Sequence, residues 1–410
     1  MLNFAILVLI LTSFLSCQLR AESLNESVTV PQNDSLLANE RELVANEDPL
    51  TKQIEDTVLT DTDNLFELYG SIYTRYRKIY HQSSEWQDNG SRAGITGYYQ
   101  TTANHWLFAR YELGFNVLDE FNLGKYAPAD NDNSYILDGE SVFTRLAYVG
   151  LQTKQLTLAY GKNWSTYYQV ASFTDRFDSL GGEAHGVYNA GTDGGLSGTG
   201  RANNVLQSRL NLDISSADKI VKKINLNFQL QNGEAIPNLV YAKYGTAYGV
   251  STIIETVNNL SLGLAYSRAK VDLNCNQQQS CMGLSGDMRA FLIGTQWYNN
   301  DWFIGLSYSN ADNLHATDDN YYFSGQGSEL YVQYQFTHNF WLLAGLNKLK
   351  PDKHQAQAEN YQLDYTVFGL RYSFDGFARM LYIESRLDNG SNANGDDQNN
   401  QIILGLRWSI

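Results

Sequence analysis

Asp175 and Asp178 stand close together in the chain, with Glu183 a short way on, and such carboxylates could act as the acid and base of a hydrolase. Nothing around them completes that chemistry, and loop carboxylates are common in an acidic chain. The six histidines (His81, His105, His185, His315, His338 and His354) are scattered without metal-ligand spacing. No nucleophile elbow of a serine hydrolase occurs. Gly191–Gly200 is rich in glycine, but a phosphate cradle needs a following Lys and a helix, and neither follows. Cys275 and Cys281 raise two readings, a metal site or a disulfide. Zinc-binding pairs are normally spaced by about two to four residues. This pair is wider and has no His near it. In an exported chain the oxidising compartment favours a small loop disulfide. The sequence thus predicts no catalytic centre, no cofactor and no metal.

The elements that must carry any function are strands. The 410 residues include 28 Tyr and 33 Gly but only 5 Pro. That composition favours long antiparallel strands over helices. Mean hydropathy is negative. The one continuous apolar run, Phe4 to Leu11, falls far short of the ~18–20 residues a spanning helix needs. A β-barrel escapes that requirement, because its strands face lipid only at alternate residues. The net charge of -15, with no Lys/Arg stripe, argues against a nucleic-acid partner.

Met1–Ala21 reads as a secretory signal peptide, with a short apolar core and a cleavage position after Ala21. Phe14–Cys17 loosely resembles a lipoprotein cleavage site, although a barrel needs no lipid anchor. Residues 22–64 hold eleven Asp/Glu against Arg41 and Lys52 and no aromatic, the composition of a disordered periplasmic extension. A contact with peptidoglycan is the functional reading of that segment, and a solvated tail the plain one.

From residue 65 to residue 410 the texture changes. Segments of about ten residues alternate apolar and polar, which places one set on each face of a sheet. Ile224, Leu226, Phe228 and Leu230 alternate with Asn225, Asn227, Gln229 and Gln231. Trp302, Ile304, Leu306 and Tyr308 alternate with Phe303, Gly305, Ser307 and Ser309. Sixteen such segments can be counted. Tight turns (Asn299–Asp301, Thr337–His338) alternate with long polar loops (Asp119–Ser141, Asp272–Gly286, Asn310–Gly327). That asymmetry suits an all-β, antiparallel transmembrane barrel of the bacterial outer membrane. The last segment alternates apolar residues up to Ile410. Arg145 is expected to point inward, since an Arg facing lipid near the midplane costs about 2–4 kcal/mol. Strict alternation would then put Phe143, Ala147 and Val149 on its face, and Leu146 and Tyr148 towards lipid.

Particular segments carry a resemblance to the general diffusion porins of Gram-negative outer membranes. Glu67-Leu68-Tyr69-Gly70-Ser71 is similar to that family's opening strand, with Ser71 where enteric relatives place a pore-facing Lys. Ser91–Gly97, Thr144–Leu151 and Ala159–Asn163 resemble later strands. Phe173-Thr174-Asp175-Arg176-Phe177-Asp178-Ser179-Leu180-Gly181-Gly182-Glu183 resembles the tip of the third external loop, with Asp178-Ser179 in place of a Pro-Glu pair. The resemblance implies that this loop folds into the barrel and narrows it. By position it puts Asp175, Asp178 and Glu183 on the loop, with Arg92, Arg145, Arg201 and Arg209 facing them from the wall. It further implies a homotrimer in outer-membrane lipid and lipopolysaccharide that passes ions and small hydrophilic solutes. A substrate-specific channel and a structural or adhesion barrel are the rival readings. The missing Lys at Ser71 and the acidic loops would tilt the pore towards cations.

Overall fold

The computed structural model describes residues 64–120, 142–189, 192–214, 220–236, 239, 241–275, 281–355, 358–375 and 378–410. The expected signal peptide, Cys17 and the acidic extension up to residue 63 lie outside the described residues.

Among the described residues seventeen strands follow one another: β1 (Asn64–Ile79), β2 (Ser84–Asp88), β3 (Arg92–Thr102), β4 (His105–Phe115), β5 (Val142–Thr153) and β6 (Leu156–Trp164). After a long loop come β7 (Arg201–Asp213), β8 (Val221–Gln231), β9 (Ala242–Thr256), β10 (Leu260–Leu273), β11 (Met288–Tyr298) and β12 (Trp302–Ala316). The last five are β13 (Tyr322–Thr337), β14 (Phe340–Pro351), β15 (Leu363–Ser373), β16 (Arg379–Asp388) and β17 (Gln401–Ser409). β2 and β3 both pair antiparallel with β1, each strand from β3 onward pairs antiparallel with the next, and β17 returns to β1 in register from Ser71↔Ser409 to Ile79↔Gln401. Closure removes the sheet edge, which is what a spanning sheet requires where no water can satisfy free backbone groups.

The barrel has sixteen staves, because β2 and β3 are one stave with a break. β1 pairs its first half with β3 and its second half with β2. The break falls at Asn89–Ser91, where Gly90 has φ 91° and the Asp88 carboxylate accepts from the amides of Gly90 and Ser91. The sequence pattern starts this stave at residue 91 and misses β2, since the break resets the alternation.

The outward set is apolar and exposed: Leu260, Leu262 and Leu264 on β10, Trp302, Leu306 and Tyr308 on β12, Ile402, Leu404 and Leu406 on β17. The inward set is polar or small, for example Ser261, Ser307, Ser309 and Gln333. On β5 the expected faces are wrong below Arg145. Tyr148 is 4% exposed and Val149 57% exposed, the reverse of strict alternation. A bulge is the cause. Glu112 pairs with Leu146 but Leu113 pairs with Thr144, so Arg145 is the extra residue. One extra residue inverts the parity of everything after it. Phe143, Arg145, Leu146, Tyr148 and Gln152 therefore all turn inward.

Candidate pore constriction

Residues 165–200 join β6 to β7, and a hydrogen-bonded neck directs them. Ser165 N donates to Gly200 O at 2.8 Å, and Ser165 Oγ donates to Thr199 O at 2.8 Å while accepting from Tyr168 N at 3.0 Å. Tyr168 stacks on Trp164 with centroids 3.9 Å apart. A helical turn, Tyr168–Ala171, follows. From there the loop packs on the inward set of the wall. Val170 and Phe173 lie over Gly263 of β10 and Gly294 of β11. The Phe173 carbonyl lies on Gly305 of β12, the Ala184 carbonyl on Gly327 of β13 and the Phe177 ring on Gly345 of β14. A Cβ at position 305 or 327 would occupy the place of a loop carbonyl, so these positions need glycine for close approach.

Polar latches then fix the loop to the wall. Glu329 accepts from Thr174 Oγ1 at 2.7 Å and from Ala184 N at 2.8 Å. Glu384 accepts from the amides of Asp178, Ser179 and Leu180 at 2.7, 3.0 and 3.0 Å. His185 is enclosed between Ser307 at 2.6 Å and Ser309 at 2.8 Å, with Glu329 at 3.5 Å. Burial pushes the His185 pKa down to about 3, so the imidazole is neutral.

The three loop acids differ. Asp175 accepts from the hydroxyls of Tyr168 and Tyr188 at 3.1 and 3.0 Å. Asp178 pairs with Arg371 at 2.8 Å and accepts from Tyr73 Oη at 3.0 Å. Glu183 pairs with Arg386 at 3.0 Å. On the wall, Arg110 and Arg145 hold Glu112 at 3.1 and 3.0 Å, and Tyr69 Oη donates to it at 2.8 Å. Arg92 joins this group through the sheet register, since Gly94 pairs with Glu112 and Arg92 with Gly114.

The structure therefore brings Arg92 and Arg145 together, and puts Asp175, Asp178 and Glu183 on one loop. Arg201 and Arg209 belong elsewhere. Arg201 is only 1% exposed, 3.7 Å from Asp193 and over the Trp164 ring at 5.1 Å, so it is packed at the loop's foot and not open to the lumen. Arg209 donates to Asn227 Oδ1 at 3.2 Å. Sequence reasoning missed Arg371, Arg386, Glu112 and Glu384. Each is a charge at an inward position between outward apolar residues, such as Leu381, Ile383 and Leu387 around Glu384 and Arg386. That was the available signal. Away from the loop, Cys275 and Cys281 form a disulfide with Cα atoms 5.8 Å apart.

A closed antiparallel barrel with an apolar belt, a polar lumen and a loop on its inner wall defines an outer-membrane channel of the porin type. Comparison with known proteins agrees. The chain is 24% identical to the outer membrane porin PhoE of Citrobacter freundii over 346 residues, covering 83% of this chain and 91% of that protein. It is 26% identical to the outer membrane protein Omp-EA of Erwinia amylovora over 302 residues, 67% of this chain and 73% of the relative. The fold superposes on Salmonella typhi OmpF with a TM-score of 0.66 at 19% identity, covering 85% of this chain and 98% of that one. An anion-selective porin from Comamonas acidovorans superposes with a TM-score of 0.60 at 14% identity, covering 85% of this chain and all of that one. No family model matches the chain. The chain is thus a distant relative of the enteric outer-membrane porins, and a multi-pass β-barrel of the bacterial outer membrane.

Proposed function

We infer that the chain is an outer-membrane porin through which ions and small hydrophilic solutes diffuse passively. The observation that carries this reading is the long loop seated along the inner wall of a closed, polar-lined barrel. The loop narrows the lumen from the side of β10–β16. Across from it stand Arg92, Arg110 and Arg145. Asp175, Asp178 and Glu183 sit on the loop itself. Separated charges of opposite sign make a transverse field, in which a polar solute aligns its dipole and an apolar one gains nothing for the ordered water it displaces. Guanidinium groups keep their charge at any working pH, so the positive side is permanent. A homotrimer in lipid and lipopolysaccharide fits the resemblance, and one solved neighbour, OmpT of Vibrio cholerae, is described in a trimer form.

Liposome swelling with neutral solutes of increasing size tests the reading. Rates that fall smoothly with solute size and do not saturate are expected. Liposomes holding folded barrels that do not swell in any solute would refute it. A contact of the acidic extension with peptidoglycan is a separate proposal, tested by pull-down of the folded protein with isolated cell-wall sacculi before and after deletion of residues 22–64.

A further inference from the structure

The stave that breaks at Asn89–Ser91 carries one residue more than its partner. Ser71 of β1 pairs with Arg92 and Thr74 with Asp88, so three steps along β1 match four along the stave. The parity of the stave changes across that extra residue. Gln87 and Asn89 are buried on the inward side before the break, and Thr96 is buried on the inward side after it. Arg92 shares the parity of Thr96. An unbroken stave that turned Asn89 inward would turn Arg92 towards lipid, where an Arg is costly. Backbone and side chain both close the break onto β1. Tyr73 N donates to Ser91 Oγ at 2.9 Å, and Asn89 N donates to Tyr73 O at 2.7 Å.

The break aims a side chain at the tip of the long loop. Asn89 is only 4% exposed, and its Nδ2 donates to Asp178 O at 2.7 Å and to Tyr382 Oη at 3.0 Å. Tyr73 Oη donates to the same Asp178 carbonyl at 3.0 Å. Arg75 Nη1 donates to Ser179 O at 3.3 Å, and Gln87 Oε1 fixes its Nε at 2.8 Å. These groups belong to β1 and β2. On the other side of the seam where β17 meets β1, Glu384 of β16 accepts from the amides of the same tip. The two grips are complementary. β16 takes the N–H groups of the tip, while β1 and β2 supply donors to its carbonyls. Neither set can replace the other, since a carboxylate only accepts and an amide nitrogen only donates.

We propose that Asn89 is a positioning residue of the constriction, closing the loop tip against β1 and β2 and so fixing one size of opening. The inference rests on the porin reading and names the group that sets the clearance on the β1 side. Loss of its donor leaves a buried carbonyl short of a partner, and the tip gains a second position turned away from β1.

The test uses the full refolded chain in planar bilayers, with hydrogen exchange measured on the same preparations. Asn89→Ala removes the side chain, and Asn89→Asp keeps its shape but removes the donor. Both should show a second, larger conductance step, occupied about fivefold more than in the parent, the size of one net hydrogen bond. Both should also speed exchange at residues 178–180 and leave Tyr168, in the neck, as protected as before. Parent-like steps and exchange in both folded variants would overturn the proposal and leave Glu384 holding the tip. A parent-like Asn89→Asp beside an altered Asn89→Ala would overturn it too, as the mark of packing alone. Silent parent barrels would remove the porin reading, and unchanged exchange at 178–180 in the variants is the separate sign that Asn89 does not hold the tip.

Discussion

From β10 to β14 the inward residues beneath the loop include Gly263, Gly294, Gly305, Gly327 and Gly345. On the arc from β3 to β5, inward positions hold Arg92, Arg110 and Arg145. The same alternating pattern thus builds two unlike walls. On the first, absent side chains let loop backbone and rings lie against strand backbone. On the second, long charged side chains fill the same space. A pore can then be narrowed from one side while the other keeps its field. Each charged group still needs compensation in a confined lumen, and Glu112 supplies it on the arginine arc as Glu329 and Glu384 supply hydrogen-bond acceptors on the loop arc.

The comparison breaks most sharply at Glu384. Replacing it by Ala strips the acceptor from three loop amides, at about 1–3 kcal/mol for each group left buried and unsatisfied. Hydrogen exchange at residues 178–180 should rise towards that of open chain, while Glu384→Gln, which keeps one acceptor oxygen, should fall between. Retained protection in Glu384→Ala would show that the latch is unimportant.

Gly327→Leu attacks the seat. Its side chain would collide with the Ala184 carbonyl, and overpacking of this kind costs about 1–3 kcal/mol. Limited proteolysis should then cleave within residues 165–200 in the variant and spare the parent. The same change at an exposed outward site such as Tyr308 should leave the loop protected.

A smaller effect follows from His185, whose folded pKa lies below its unfolded value. The unfolded state binds the extra proton, so loop seating weakens as pH falls below about 6.5, with a slope that approaches ~1.4 kcal/mol per unit. Glu329, His315, Ser307 and Ser309 face or surround it. Loop protection should therefore fall between pH 6.5 and pH 4 in the parent, and the fall should flatten in His185→Gln. A parallel fall in both would assign the effect to another group.

Arg92→Ala should matter least for structure, about 0.5 kcal/mol or less, because Arg110 and Arg145 still hold Glu112. Its effect should appear in the reversal potential of a salt gradient, shifted towards cations. An unchanged potential would take Arg92 out of the field.

The alternation made the barrel legible. On β8, β10, β12 and β13 the faces read from the sequence are the faces in the structure, because no bulge interrupts the parity of those readings. The failures are local. Arg145 adds a residue that inverts β5, and Asn89–Ser91 breaks a stave that then looks one segment shorter. Among site residues, Arg145 could be placed because an Arg is expensive against lipid, and Arg92 only from the resemblance. Arg201 could not, since its packing on Trp164 depends on how the loop's foot folds. For Arg371 and Arg386 the local alternation marks an inward charge, but their partners lie about two hundred positions away in sequence, so the pairing itself leaves no local pattern.

Single-channel conductance of the parent chain beside Glu384→Ala tests the central claim, a water-filled barrel narrowed by a latched loop. Stepwise, ohmic conductance in the parent and larger steps in the variant are predicted. Equal steps from equally folded barrels would contradict the loop's role, and silent barrels would contradict the channel itself.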